Sequence, residues 1–189
     1  MTVLQAGAEV SVTITYLEMP VRPAFDAPDL PTDVRLERAI DPPVQFFLAM
    51  YDAVGRDYEW WQRVWQSKND PQTLHDFVKH PKVGMWLAYR HGWPHGFFVL
   101  DHRTHGICDL AYFGLVHGAI GQGLGGALLK TACVKGWLHD DVAKMTVNTC
   151  TLDHPRALSL YQKVGFVPVR TTMHIHTLLR DRDPSCFPA

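Results

Sequence analysis

Five of the nine residues from Gly118 to Gly126 are glycine, and this run joins an apolar, strand-like stretch ending near Val116 to a helix-like one that continues through Leu128, Leu129 and Lys130. Glycine lets a backbone turn sharply and approach a ligand closely. The N–H groups and positive dipole end at the start of the following helix suit an anion. The run is therefore a candidate phosphate cradle, although glycine clusters also close ordinary strand-to-helix connections. A nucleotide P-loop needs Lys-Ser or Lys-Thr after its last glycine, and Gly125 is followed by Gly-Ala-Leu, which excludes it. A dinucleotide fingerprint is met loosely by Gly121, Gly123 and Gly126 with Asp140 or Asp141 about 20 residues on.

Topology argues against the dinucleotide reading and the nicotinamide-dependent oxidoreductase it would imply. Such folds place the glycine turn in the first strand–helix unit, whereas here it lies past the middle of the chain. Before it, Val83 to Tyr89 and Gly96 to Leu100 form a predicted antiparallel hairpin around Arg-His-Gly-Trp-Pro-His. Ile107 to Val116 is apolar at nearly every position except Asp109, as in a central strand covered on both faces. After the cradle, Leu128, Leu129, Ala132, Cys133 and Gly136 recur at helical spacing. Lys144 to Cys150 predicts a strand, and Asp153-His154-Pro155 predicts a helix start with proline in its first turn. Ala157, Leu160, Tyr161 and Val164 give that helix an apolar stripe, and Gly165 stands where a left-handed terminator belongs.

From about Val83 to Phe166 these residues resemble the GNAT superfamily of acyl-coenzyme A dependent N-acyltransferases. Ala157-Leu-Ser-Leu-Tyr161-Gln-Lys-Val-Gly165-Phe166 is similar to the family's Ala-x-x-x-Tyr-x-x-x-Gly-Phe signature. The cradle is similar to the family's pyrophosphate loop, aligned on Gly123 and Gly125, with Ile120 where Gln or Arg is usual. His154 stands where the family commonly has an Asn that binds the pantetheine arm. The resemblance implies an α/β (α+β) fold in one domain over residues 1–189. It would hold a mixed central sheet of about six to seven strands flanked by helices, in the order β-α-α-β-β-β-α-β-α-β.

It also implies acetyl-coenzyme A as co-substrate, no metal, and direct acyl transfer to a small-molecule or peptide amine. The diphosphate would be held by main-chain amides from Ile120 and Gly121 through Gln122, Gly123 and Leu124 to Gly125 and Gly126, with the Gln122 side chain as an added donor. Main-chain groups at Leu115 and His117, beside a strand bulge, would pair with pantetheine and face the thioester oxygen. Tyr161 would be the general acid for the departing thiolate. A phenol with pKa near 10 facing a thiol near 8.5 acts by concerted donation or hydrogen bonding, because full transfer is uphill by roughly 2 kcal/mol. Asp109 is the first candidate for general base, since a carboxylate in an apolar strand has a raised pKa. Glu59, Asp57, His105 and His117 remain alternatives, as does deprotonation through ordered water.

The N-terminal third is less specific. Val10, Val12, Ile14 and Tyr16 alternate with polar residues as a half-buried first strand, and residues 20–42 form a Pro-rich connection with too many breakers for a regular element. Helical apolar faces follow at Phe46, Phe47, Met50, Tyr51 and Val54, at Trp61, Val64 and Trp65, and after Asp70-Pro71 at Leu74, Phe77 and Val78. Core spacing assigns Trp61 and Trp65 to packing and leaves Trp60 as the substrate-side candidate. From Phe166 to Leu179 no clear turn appears, which leaves one long strand and the family's usual final hairpin both open, followed by a tail over 180–189. In the family that region often closes the acceptor pocket or builds a homodimer.

Composition narrows the partners. At 189 residues and 47% hydrophobic the chain suits one well-buried domain, and a net charge of −1 provides no basic footprint for nucleic acid or membrane. Neither a signal-peptide pattern nor an apolar run of about 18 residues is present, so the expected compartment is cytoplasmic. The four cysteines, Cys108, Cys133, Cys150 and Cys186, form no paired framework and are expected as reduced thiols, chiefly structural. His174 and His176 share a strand face but lack the further ligands a zinc site needs. The expected activity is thus N-acetyl transfer to a primary amine. The alternative is a non-catalytic coenzyme A binding or sensing module on the same fold.

Overall fold

Alternation at the N-terminus does produce a strand, β1 (Glu9–Met19), but its neighbours are the last two strands of the chain. The computed structural model describes residues 3–183, in which seven strands form one sheet in the order β2-β3-β4-β5-β6-β1-β7. β2 (Val34–Ala39), β3 (Val83–Arg90), β4 (Trp93–Asp101) and β5 (Ile107–Leu115) lie side by side antiparallel. β6 (Lys144–Cys150) runs parallel to β5, and β1 then pairs antiparallel with both β6 and β7 (Val167–Thr177). The C-terminal segment is one 11-residue strand. Beyond it Leu178 and Arg182 continue the pairing onto Ala8 and Leu4. Cys186 and the end of the tail, 184–189, lie outside the described residues.

The connection over 20–42 is not irregular throughout. Its breakers end at Pro31, and Val34–Ala39 forms the edge strand β2 on β3. Three helices follow: α1 (Val44–Gly55), α2 (Gln62–Asn69) and α3 (Pro71–Val78), the last capped by the Asp70 carboxylate accepting from Thr73 N. The β3–β4 hairpin turns at His91 and Gly92, both with positive φ. The crossover from β5 to β6 is α4 (Leu124–Gly136), which buries Leu128, Leu129, Ala132, Cys133 and Gly136 against the sheet.

A further helix, α5 (Ala157–Lys163), begins later than Asp153-His154-Pro155 predicts. The Asp153 carboxylate turns back to accept from Thr149 Oγ1 (2.7 Å) and Cys150 N (2.9 Å), so it closes the end of β6 instead of capping a helix.

Each face of the sheet carries its own core. Phe98, Leu100, Leu110, Val147, Tyr161 and Phe166 pack with α4 and α5 on one side. Phe97, Val99 and Leu87 pack with Phe47, Tyr51, Leu74 and Phe77 of α1 and α3 on the other. β4 alternates between them and is buried on both faces, which is why it reads as a continuous apolar run. At roughly 1.5–3 kcal/mol for each large apolar side chain removed from water, these two layers hold the sheet between them.

The parallel pair is short. β5 and β6 match only at Ile107↔Lys144, Cys108↔Met145 and Asp109↔Thr146, and beyond that rung they diverge. On its other edge β5 carries an extra residue, because Val99 pairs with Tyr112 and Leu100 with Leu110, leaving Ala111 as a bulge. Asp109 thus sits at the fork, accepting from Thr146 Oγ1 beside Asp101 and Arg103. Loss of water raises its pKa; the Thr146 bond opposes that rise and the Asp101 charge adds to it.

A carboxyl with a raised folded-state pKa keeps a proton that the unfolded chain has already released, so stability falls as pH rises through that interval. Asp109→Asn should therefore melt at a higher temperature than the parent at pH 7, with the difference closing as the pH drops below about 4. A lower melting temperature at pH 7 would contradict this account of the fork.

Candidate active site

The glycine run ends β5 and starts α4 with nothing but backbone. Gly121 and Gly123 hold positive φ (82° and 79°), and no side chain caps the helix, so the first-turn amides of Leu124, Gly125 and Gly126 stay open. A Cβ built at Gly121, Gly123 or Gly126 would meet nothing within 4 Å, which leaves space over the helix N-terminus for a phosphate-sized group. Gln122 does not point a donor into that space. Its Nε2 donates to Gly118 O (2.7 Å) and its Oε1 accepts from Arg90 (2.9 Å), tying the loop to β3. Leu124 is buried in the core and offers only its amide, while Ile120 lines the space.

A cleft of about 670 Å³ runs from this cradle into the fork between β5 and β6. Its walls are Leu110 to Leu115 on one strand and Val147, Asn148 and Cys150 on the other. Val116 N donates to His95 O (3.0 Å), so by ladder alternation the main-chain groups of Leu115 and Phe113 point away from β4, toward the fork. The extra residue of β5 is Ala111, several positions before Leu115. His117 stands apart on an exposed 3-10 turn, its Nδ1 3.7 Å from Asp57, and does not line the cleft.

Tyr161 comes from α5 and its ring is buried against Phe113 and Phe166. It lines the cleft, and among the described residues its hydroxyl has no hydrogen-bond partner. Burial, then the charges of Asp153, Cys133 and Asp109, push its pKa well above the usual phenol range, so the hydroxyl is a donor at every physiological pH. His154 lies alongside. Its Nδ1 accepts from Arg156 N (3.1 Å), which puts the neutral ring's hydrogen on Nε2, and that Nε2 is buried with no partner among the described residues. Burial and the Arg156 charge lower its pKa and keep the ring neutral. A buried N–H of this kind fits an amide carbonyl of a ligand arm. Arg156 and Lys163 add cations to the rim.

The far end of the cleft is aromatic and acidic. Trp60 packs on Tyr51 and Tyr112, fills the space a Cβ on Gly55 would need, and donates Nε1–H to Asp153 Oδ1 (3.1 Å). Trp61 and Trp65 are not core residues. They are 43% and 50% exposed, because the short α2 docks through Val64 and buries none of its own residues fully, and Trp61 lies on the cleft wall.

Two residues that the sequence holds 117 positions apart meet here: Glu59 Oε2 accepts from His176 Nε2 (3.2 Å) and also from Leu179 N (2.8 Å). His174, on the same face of β7, completes this wall. Asp109 is not among the lining residues; it lies at the closed root of the fork. His105 pairs with Asp141 (3.6 Å) at the opposite end of β5. Burial pushes the Cys133 thiol up to about 12 and Cys150 up to about 11, so neither is a ready nucleophile. No group of three or more His, Cys, Asp or Glu suited to a metal occurs among the described residues, and none of their helices is long and apolar enough to cross a membrane.

Among solved structures the chain is similar to a GCN5-related N-acetyltransferase from Kribbella flavida, with a TM-score of 0.60 and 19% identity over 88% of this chain and 59% of that one. A GCN5-related N-acetyltransferase from Sphaerobacter thermophilus matches with a TM-score of 0.56 and 16% identity, over 96% of this chain and 54% of the other. A tandem GNAT protein from the clavulanic acid biosynthesis pathway matches with a TM-score of 0.62 and 16% identity, over 95% and 56%. At such identities the likeness is one of fold, and the chain spans little more than half the length of these structures. No curated protein matches it in sequence. The model of the acetyltransferase (GNAT) family matches residues 47–166, a stretch that runs from α1 through the cradle to Phe166 and carries every wall of the cleft except β1 and β7. The chain belongs to the GNAT acetyltransferase family.

Proposed function

We propose that the chain transfers an acetyl group from acetyl-coenzyme A to a primary amine within this cleft. The observation that carries the reading is the fork itself: an open slot in the sheet, capped at one end by unfilled helix amides and holding an unpartnered tyrosine hydroxyl. The cradle amides at Leu124, Gly125 and Gly126 suit the diphosphate, Arg156 and Lys163 suit the other anionic groups, and His154 Nε2 with the main chain of Leu115 suits the amide-bearing arm. Acetyl-coenzyme A supplies the acyl group as a thioester. The amine nitrogen forms the new C–N bond as the C–S bond breaks, so the amine must lose a proton and the sulfur must be stabilised or protonated.

Tyr161 serves the sulfur. Its raised pKa makes full proton transfer to a thiolate even less favourable than for an ordinary phenol, so its role is a strong hydrogen bond to the developing negative charge. The acceptor enters from the side of Trp60, Trp61 and Tyr58, where aromatic faces and the carboxylates of Glu59 and Asp153 favour a cation.

Two outcomes follow. Gly126→Glu places a carboxylate in the open space at the third position of α4, where it suits the helix dipole by about 0.3–1 kcal/mol. The variant should melt no lower than the parent yet lose the thermal stabilisation by coenzyme A, with KM for acetyl-coenzyme A raised at least about tenfold. Full retention of that stabilisation would rule out the cradle. Tyr161→Phe should lower kcat roughly 10- to 100-fold in a free-thiol release assay while KM for acetyl-coenzyme A and melting temperature stay nearly constant, since the hydroxyl has no partner to lose among the described residues. Unchanged turnover would remove Tyr161 from the chemistry, and coenzyme A binding with no thiol release for any amine would favour a sensing module.

A further inference from the structure

We infer that His176 takes the proton from the acceptor amine and that Glu59 is the residue that positions it. This rests on the reading of the cleft as an acetyl-transfer site. An alkyl ammonium has no lone pair, so a group at the acceptor end must receive a proton before the C–N bond can form. That group needs to face the cleft, to keep an unoccupied lone pair and to be held in place by a partner.

Other candidates fit these conditions less well. The Asp153 carboxylate already accepts three bonds, at Oδ1 from Trp60 Nε1 and at Oδ2 from Thr149 Oγ1 and Cys150 N, and is committed to closing the end of β6. Asp109 lies at the root of the fork, outside the cleft. Glu59 has Oε2 engaged by Leu179 N and His176 and a side chain only 3% exposed against 12% for His176, so the imidazole is the more open of the two to the cleft. His174 faces the cleft but is exposed, with no carboxylate partner among the described residues.

His176 satisfies all three. Its side chain is only 12% exposed, and its Nε2 is 3.2 Å from a carboxylate whose own side chain is 3% exposed. A carboxylate accepts, so Nε2 carries the ring hydrogen, and Nδ1, which has no partner among the described residues, carries the lone pair. The supporting carboxylate is held under constraint. Glu59 adopts a left-handed backbone (φ 61°) at the end of the 3-10 turn after α1, and such a conformation in a non-glycine residue persists where its surroundings fix it. Here the fixing bond comes from the other end of the chain, at Leu179 N.

The charged and titratable groups around the pair are few. Arg182 donates to Leu152 O and Asp57 O and its charge reaches Glu59, Tyr58 stands on the same 3-10 turn, and His174 is a ring neighbour at 6.5 Å. Arg180 is directed to Arg56 O and Asp52. In the step itself an ammonium proton moves to His176 Nδ1 and the freed pair attacks the acetyl carbon. As the C–S pair leaves on sulfur beside Tyr161, the second proton lost by nitrogen passes to that sulfur, giving the neutral amide and the coenzyme A thiol, and the imidazolium later returns its proton to water.

The full chain is assayed by thiol release with acetyl-coenzyme A and two amine classes, alkyl amines that are ammonium ions at neutral pH and hydrazines or aryl amines that are already neutral. His176→Gln should cut kcat for alkyl amines by about 50-fold or more, and for neutral amines several-fold less, with coenzyme A stabilisation unchanged. Free imidazole should restore part of the activity of His176→Gly. Glu59→Gln, which keeps an acceptor for both donors, should lower kcat without raising KM for acetyl-coenzyme A, and imidazole should not rescue it. Equal losses for both amine classes without rescue, or full activity in His176→Gln, would overturn the assignment. If the parent chain itself binds coenzyme A but acetylates no amine of either class, the transferase reading fails and this inference fails with it.

Discussion

Two parallel strands that stop pairing after three rungs leave main-chain donors and acceptors with no sheet partner, and the rest of the site is arranged around that gap. Every backbone N–H or C=O away from water needs a bond. β5 satisfies its other edge on β4 and β6 satisfies its other edge on β1, so each strand is held firmly on one side only. The fork does not collapse, because Ala111 bulges β5 on one bank and the Asp153 carboxylate pins the end of β6 on the other. An extended ligand rich in amides is what such an edge pair can accept, and the helix amides at one mouth select for an anionic terminus.

The placement of β1 decides what stands at the other mouth. Consecutive elements usually neighbour each other in space, yet β1 enters between β6 and β7 and pairs with β7 along nearly its whole length. Val12 and Ile14 thereby become cleft floor, with Ile14 opposite Cys150 and Val12 opposite His174. One strand spacing is about 4.8 Å, so β7 is set roughly 10 Å from β6, with the proposed acceptor side between its histidines and the fork. The same pairing brings Leu179 to Glu59, so β1 and the segment after β7 both help to build this side of the cleft.

Legibility in the sequence followed the range of the interactions. The glycine turn into α4, the α4 face and the Tyr161 stripe could be read because glycine conformation and helical period are local properties. Alternation revealed β1 as a strand but not its neighbours, which depend on contacts more than 100 residues away. β2 was hidden by the prolines before it, and the length of α2 by two tryptophans whose spacing suited a core but whose helix is too short to bury them. Asp109 drew notice as a lone carboxylate in an apolar strand, and its position at the last rung explains both its raised pKa and its absence from the cleft. The meeting of Glu59 and His176 had no sequence signal beyond the two residue types, since a left-handed glutamate cannot be told from any other in a sequence.

The fork also perforates the sheet, and that bears on the proton chemistry. Tyr161 belongs to the core under α4 and α5, whereas Trp60, Tyr51 and Tyr112 belong to the layer under α1 and α3, and all four line one cleft. A donor hydroxyl and a receiving imidazole on one wall would bond to each other and satisfy both before any substrate arrived. With Tyr161 on one face and the Glu59–His176 pair at the opposite mouth, each keeps an open valence: among the described residues the hydroxyl hydrogen has no acceptor and the ring nitrogen no donor. On the proposed reading, separation across the sheet would do for the proton traffic what the broken ladder would do for the ligand. It holds complementary groups apart in a rigid frame, so that only a molecule spanning the gap can pair them.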